Sequence, residues 1–217
     1  VIHNLKFAYF SPENHPLQLH TATLTEKLIG SQFDKSKTSR SKIDSAYDYL
    51  KSNFWFIKPD KDFTVENIIG IAKDAINKHG VNSIVIDPYN KIEHQFNKNT
   101  TETNYISSLL DKLITFAIEN DIILFLIAHP KKMPKNNGIH ETPSLYDING
   151  SANFYNKTDF GVTVYRNFST GQSEIHVQKA KFKHLGSVGM IVQDYNINNG
   201  RYSDVESDGS ANYDNSS

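Results

Sequence analysis

Ser83-Ile84-Val85-Ile86-Asp87-Pro88-Tyr89-Asn90 decides the fold. Three β-branched residues in succession make a short strand, and it finishes on a carboxylate. A near-continuous apolar strand belongs to a parallel sheet covered by helices on both faces, and such sheets present their chemistry at the carboxyl ends of the strands. Working outward, Ile122 to Ala128 repeats the design as an apolar run closing on His129, and Leu5 to Phe10 is a buried strand followed by Ser11-Pro12-Glu13-Asn14. Three strand ends therefore carry Glu13, Asp87 and His129.

The stretches between them have helical periodicity. Leu17, Leu24 and Leu28 recur at helical spacing within His15 to Gly30, and a second helix fits Ser41 to Lys51. Phe54 to Ile57 reads as a brief aromatic strand. Thr64 to Lys78 aligns Val65, Ile68, Ile69, Ala72 and Ile76, with Thr64 placed to cap the first turn and Gly80 to end the helix. Glu102 to Asn120 makes a further long helix. Past Asp159 the period changes to two, through Phe160 to Arg166, Glu174 to Lys181 and Val188 to Tyr195, which predicts antiparallel strands. The expected architecture is α/β: a mostly parallel central sheet flanked by helices over residues 1–202, with antiparallel strands at its C-terminal end. Residues 203–217, dominated by Asp, Ser, Gly and Asn, read as a disordered acidic and polar tail.

Composition narrows the function classes. The 217 residues suit one domain with an ordinary core, and the absence of cysteine excludes disulfide staples and thiolate metal sites. Lys and Arg total 23 against 24 Asp and Glu, so any basic surface must be local. No apolar stretch approaches the ~20 residues that span a bilayer. Val1 begins neither a signal peptide nor a natural start, and the chain is expected to be a soluble fragment.

Each strand-end residue has a plain reading beside a chemical one. Asp87 can hold the water shell of a nucleotide-bound magnesium, or merely cap the next turn. Glu13 can orient and deprotonate an attacking water, or favour the dipole of the helix that follows. His129 can hydrogen-bond a terminal phosphate; Lys131, Lys132 and Lys135 beyond it can neutralise a nucleic-acid backbone or stand as solvated loop lysines. Gly150 and Ser151 let the backbone approach a ligand closely, and Lys181 and Lys183 occupy alternate positions at a strand end before a glycine-bearing turn. A metal-dependent hydrolase built from Asp87, His129, His140 and Glu141 ranks last, because these residues have no compact ligand spacing.

The order of these segments resembles the successive motifs of hexameric replicative helicases, most of all the Twinkle-type and bacteriophage primase-helicases. The resemblance spans Lys6 to Tyr195 and is carried by Ser11-Pro12-Glu13-Asn14, Asp87-Pro88-Tyr89-Asn90, Ala128-His129-Pro130-Lys131-Lys132, Asp147-Ile148-Asn149-Gly150-Ser151-Ala152 and Lys181-x-Lys183 with Gly186, Val188 and Gly189. It implies a RecA-like ATPase core that binds Mg2+ and ATP between the subunits of a ring, a hexamer of identical chains, and moves 5′ to 3′ on single-stranded DNA. By position it implies a water-activating Glu13, a magnesium-supporting Asp87, a γ-phosphate-sensing His129 and a coupling Asn156 where the family commonly has Gln. It implies DNA contacts from Lys131, Lys132, Lys135, Asn149, Gly150, Ser151 and Asn153, an adenine sandwich between Arg166 and Tyr195, and cations Lys181 and Lys183 inserted into a neighbouring subunit's site.

The pattern departs from the family in two ways. Lys183 stands where arginine is usual and cannot make the same bidentate phosphate contact. No G-x-x-x-x-G-K-[ST] loop occurs in the chain, so the segment alone is expected to hydrolyse little or no ATP, and the loop is expected before Val1. Expected surroundings are the cytoplasm of a bacterial or phage-infected cell, or an organelle. Two other readings stay open: a RecA-like recombination or plasmid-replication ATPase without processive unwinding, and a non-enzymatic DNA-binding or assembly module.

Overall fold

The computed structural model describes residues 4–32, 38–60, 62–94, 101–136, 139–148 and 152–205. In chain order the elements are β1 (Phe7–Phe10), α1 (Leu17–Ile29), α2 (Arg40–Asn53), β2 (Phe54–Phe56), α3 (Val65–His79), β3 (Ser83–Ile86), α4 (Glu102–Glu119), β4 (Ile123–Leu126), β5 (Lys135–Asn136), β6 (Ile139–His140), α5 (Asn153–Lys157), β7 (Phe160–Arg166), β8 (Ser173–Ala180), β9 (Gly189–Asn196) and β10 (Arg201–Asp204). Single turns of 3-10 helix cover Tyr89–Lys91 and Leu145–Asp147.

The first sheet is parallel, in the order β2-β1-β3-β4. Its register sets Ala8 beside Ile84 and Leu124, and Phe10 beside Ile86 and Leu126. Alternation then sends Ala8, Phe10, Ile84 and Ile86 to one face, where they are buried with Ile68 and Ala72 of α3 and Ile106, Leu109 and Leu113 of α4. These two helices form where the sequence predicts them: Thr64 accepts from the Asn67 N–H at the start of α3, Gly80 closes it in the left-handed conformation, and Thr101 caps α4.

The opposite face is an aromatic layer. Phe7 stacks on Phe54 with centroids 5.3 Å apart, Tyr9 meets Phe54 at 5.8 Å, His20 of α1 is edge-on to Tyr9 and Phe56, and Tyr49 of α2 reaches Phe54. On β4 this face is open: the run that reads as uniformly apolar exposes Ile123, Phe125 and Ile127 while Leu124 and Leu126 pack inward.

The period-two segments form a separate antiparallel sheet, β10-β9-β8-β7. Its fourth strand is not anticipated by the sequence pattern. Arg201–Asp204 pairs with Gln193–Asn196, so two residues read as tail, Ser203 and Asp204, belong to the sheet, and residues 206–217 lie outside the described residues. The turn between β9 and β10 is tied to the end of α1. Arg201 donates to the carbonyls of Lys27 (2.6 Å) and Leu28 (2.9 Å), Asn199 donates to the Gly30 carbonyl, and Lys27 donates back to Gly200 (2.8 Å). The last carbonyls of a helix are thereby satisfied by a strand hairpin.

Gly161 joins the two halves. Leu145 is buried against β7 at this point, and a Cβ on residue 161 would lie 2.1 Å from Leu145 Cδ1. Gly161→Ala is therefore expected to cost roughly 1–3 kcal/mol through overpacking, read as a lowered midpoint in thermal or denaturant unfolding.

Candidate active site

The aligned ends of β1, β3 and β4 build a rim. The Asp87 N–H donates to the Phe10 carbonyl (2.8 Å), the Ile127 N–H to Ile86 (2.9 Å) and the Tyr89 N–H to Ile127 (2.7 Å), so the residues just past three strands are locked side by side. Asp87 Oδ2 accepts from Ser11 Oγ and Asn14 Nδ2, each at 3.4 Å, and Asn14 also donates to Ser11 Oγ at 2.6 Å. The loop after β1 is thus folded back over the end of β3.

That loop carries Glu13, whose carboxylate meets His129 Nε2 at 3.8 Å and Lys91 Nζ at 3.3 Å. The structure brings Glu13, Asp87 and His129 to one rim. The Glu13 and His129 side chains are 46% and 61% exposed, which leaves both open to an incoming ligand and makes their mutual attraction worth little as stability. Lys91 was missed by sequence reading. It reaches the rim because the 3-10 turn after Asp87 brings the fourth residue beyond the carboxylate back beside it, and that spacing is the only trace it leaves in the sequence. Tyr89, buried at 2% exposure, anchors this turn edge-on against Phe154 of α5, and burial pushes its hydroxyl up to about 12. Beneath the rim, burial lowers the pKa of His20, opposed by the charge of Asp87, and burial together with Asp87 raises Tyr9.

No protein-family profile matches the chain. A Twinkle homolog of Arabidopsis thaliana, chloroplastic/mitochondrial, is 33% identical over 213 residues. The match takes in 92% of this chain and 30% of the relative, so the chain spans under a third of that protein. Among solved structures, an ATPase domain superposes with a TM-score of 0.75 at 18% identity, covering 93% of this chain and 75% of the other. A DnaB-like replicative helicase superposes at 0.72 and 17% identity, covering 93% and 52%. The chain has the RecA-like fold of these ATPase domains, and its sequence is similar to part of a Twinkle homolog. The RadB recombinase shares the same fold at a TM-score of 0.57 and 14% identity, over 94% of this chain.

Within this fold the remaining predicted residues fall into separate places. Lys131 is anchored, not free: its N–H donates to the Asp147 carbonyl at 2.7 Å and its ammonium pairs with Asp147 Oδ1 at 3.0 Å. Lys132 and Lys135 are exposed, and what reads as an irregular basic loop is partly the β5-β6 ribbon. Asn149, Gly150 and Ser151 lie outside the described residues. Asn153 donates to the Thr103 carbonyl of α4 at 3.2 Å, and Asn156 lends its carbonyl to Lys179 at 3.1 Å.

Lys181 and Lys183 do not sit on one face of a strand. β8 stops at Ala180, the Lys181 N–H makes a last bond to Asp159, and the chain turns through Phe182 to Leu185. The Lys181 ammonium pairs with Asp159 at 2.7 Å, whereas Lys183 stands exposed on the turn. Arg166 and Tyr195 are brought together, with the guanidinium 5.6 Å from the ring centroid of Tyr195 and the Tyr202 ring 5.1 Å from that same centroid.

Asp147 is the carboxylate held furthest below its ordinary range. The Ser144 N–H (2.9 Å) and hydroxyl (2.7 Å) and then Lys131 hold its carboxyl at about 2, below the ordinary 3.8. A depressed acid stabilises the fold above its unfolded pKa, and that contribution is lost as pH falls through the folded value. Wild type is therefore expected to melt above Asp147→Asn at pH 7, with the gap closing as pH falls from about 4 towards about 2; melting curves across that range test it.

Proposed function

We propose that this core is the larger part of a replicative DNA helicase motor in which ATP hydrolysed between the subunits of a homohexameric ring drives 5′-to-3′ movement on single-stranded DNA. The observation that carries the reading is the meeting of Glu13, His129 and Lys91 beside Asp87 on one sheet edge. The sequence likeness to the plant Twinkle homolog favours a helicase over the recombination ATPase that the RadB fold also suggests. A forked-duplex unwinding assay separates the two.

The donor set suits Mg2+ and ATP. Asp87 supplies a hard carboxylate beside the Ser11 hydroxyl, the kind of site that keeps magnesium through water and phosphate oxygens. Bound magnesium would neutralise charge gathering on the phosphoryl oxygens. Glu13 is placed to orient a water and take its proton, and Lys91 and His129 to hold that carboxylate in position, with His129 open toward the phosphate side. Arg166 and Tyr195 offer planar faces for a base. Exposed Lys183 is placed to act on a neighbouring subunit's nucleotide, and Lys132 and Lys135, with the segment about Asn149, Gly150, Ser151 and Asn153, on the DNA backbone. Asn156 would couple the two. A bacterial, phage-infected or organellar compartment all fit this role.

The chain has no G-x-x-x-x-G-K-[ST] loop to grip the β- and γ-phosphates. Alone it is expected to hydrolyse ATP no faster than background in a phosphate-release assay; robust turnover would refute the assignment of catalysis to the complete motor. In a protein carrying this core together with such a loop, Glu13→Gln is expected to keep nucleotide binding and lose about 10²–10⁴-fold in turnover. Lys183→Ala there is expected to remove DNA-stimulated turnover without changing the melting temperature. Loss of nucleotide binding in the first variant, or unchanged turnover in the second, would contradict these roles.

A further inference from the structure

We propose that Tyr146 is a stacking platform for an unpaired base of single-stranded nucleic acid, an inference that rests on the DNA-binding reading of the adjoining basic segment. Tyr146 stacks on Tyr155 with ring centroids 4.6 Å apart and planes 22° from parallel, yet remains 53% exposed. One face of the ring is therefore backed by a second aromatic and the other is open. Behind the pair, the Lys179 ammonium lies 5.0 Å from the Tyr155 centroid and donates to the carbonyls of Tyr155 (2.6 Å) and Asn156 (3.1 Å), so the backing ring and α5 are fixed to β8.

The turn that presents Tyr146 is equally fixed. On one side Leu145 is buried against Gly161 and its N–H donates to Gln178 Oε1 at 2.8 Å. On the other, Asp147 accepts from the N–H and hydroxyl of Ser144 and pairs with Lys131. A ring held so on both sides loses little freedom when a base settles on it, and base–aromatic stacking tolerates any sequence because every base has a π face.

Charge points to the same class of ligand. The Lys131–Asp147 contacts and the antiparallel bridge between Pro130 and Ile148 bind the basic stretch to the Tyr146 turn, and further along that stretch the exposed Lys132 and Lys135 line one surface pocket with Met133, Pro134 and His140. Exposed cations in a segment tied to an open aromatic face suit single strands, since lysines neutralise phosphates while the ring takes a base.

The test compares binding of this chain, at low salt, to a labelled oligo-dT of about 12 nucleotides and to an abasic strand of equal length, a span within the usual site sizes. Wild type is expected to prefer oligo-dT. Tyr146→Ala should weaken oligo-dT binding about five- to hundredfold and leave the abasic strand unchanged; Tyr146→Phe should restore the wild-type preference, and Tyr146→Leu should behave like the alanine variant. Replacing Lys132 and Lys135 together by alanine should weaken both ligands. If Tyr146→Ala binds oligo-dT as wild type does while the double lysine variant is weakened, the platform is overturned and the DNA reading survives. Equal weakening on both strands would make Tyr146 a prop of the loop, also overturning the platform. If wild type binds neither strand, the platform falls together with the DNA reading.

Discussion

The register of three parallel strands is the constraint on which the rest of the molecule depends. Phe10, Ile86 and Leu126 lie abreast, so the next residues of each chain emerge at one level and hand their backbone bonds across: Asp87 to Phe10, Ile127 to Ile86. The same alignment sends Ala8, Ile84 and Ile86 beneath α3 and α4. A slip of one residue in any of the three would turn its apolar set to the wrong face, so the hydrophobic core and the rim are enforced by one geometric choice. The chemistry at the edge is held by the burial beneath it.

Much of this was legible because the relevant signals are local and strong. Short apolar runs bounded by Asp87 and His129 mark buried strands, Thr64 and Gly80 mark the ends of α3, and period-two alternation marks β7 to β9. The unread parts are those where tertiary partners outweigh sequence pattern. Arg201–Asp204 has no apolar alternation and becomes a strand through backbone pairing to β9 and the contact of Tyr202 with Tyr195. Lys91 enters the rim through a turn set by tertiary anchors, Tyr89 among them. For Lys181 and Lys183, alternation continued on paper past Ala180, but the ion pair with Asp159 and the turn that follows end the strand.

Two kinds of lysine emerge from the basic segment. Lys131 turns its charge onto Asp147 and through it the 3-10 turn, whereas Lys132 and Lys135 keep theirs toward solvent. Sequence composition treats the three as equivalent; position relative to a capping carboxylate separates them. One charge serves structure and two are left at the surface within a few residues, which is how a chain of nearly balanced charge can still present a local cationic surface.

The contact between α1 and the β9-β10 turn sets an order of events during synthesis. Lys27 and Leu28 leave the ribosome some 170 residues before the guanidinium of Arg201 that satisfies their carbonyls. Until that hairpin emerges, the end of the first helix must rely on water, and the loop closing the two ends carries the entropy of almost the whole chain. The end of the first helix therefore gains these partners only after the residues of the whole parallel sheet have been made.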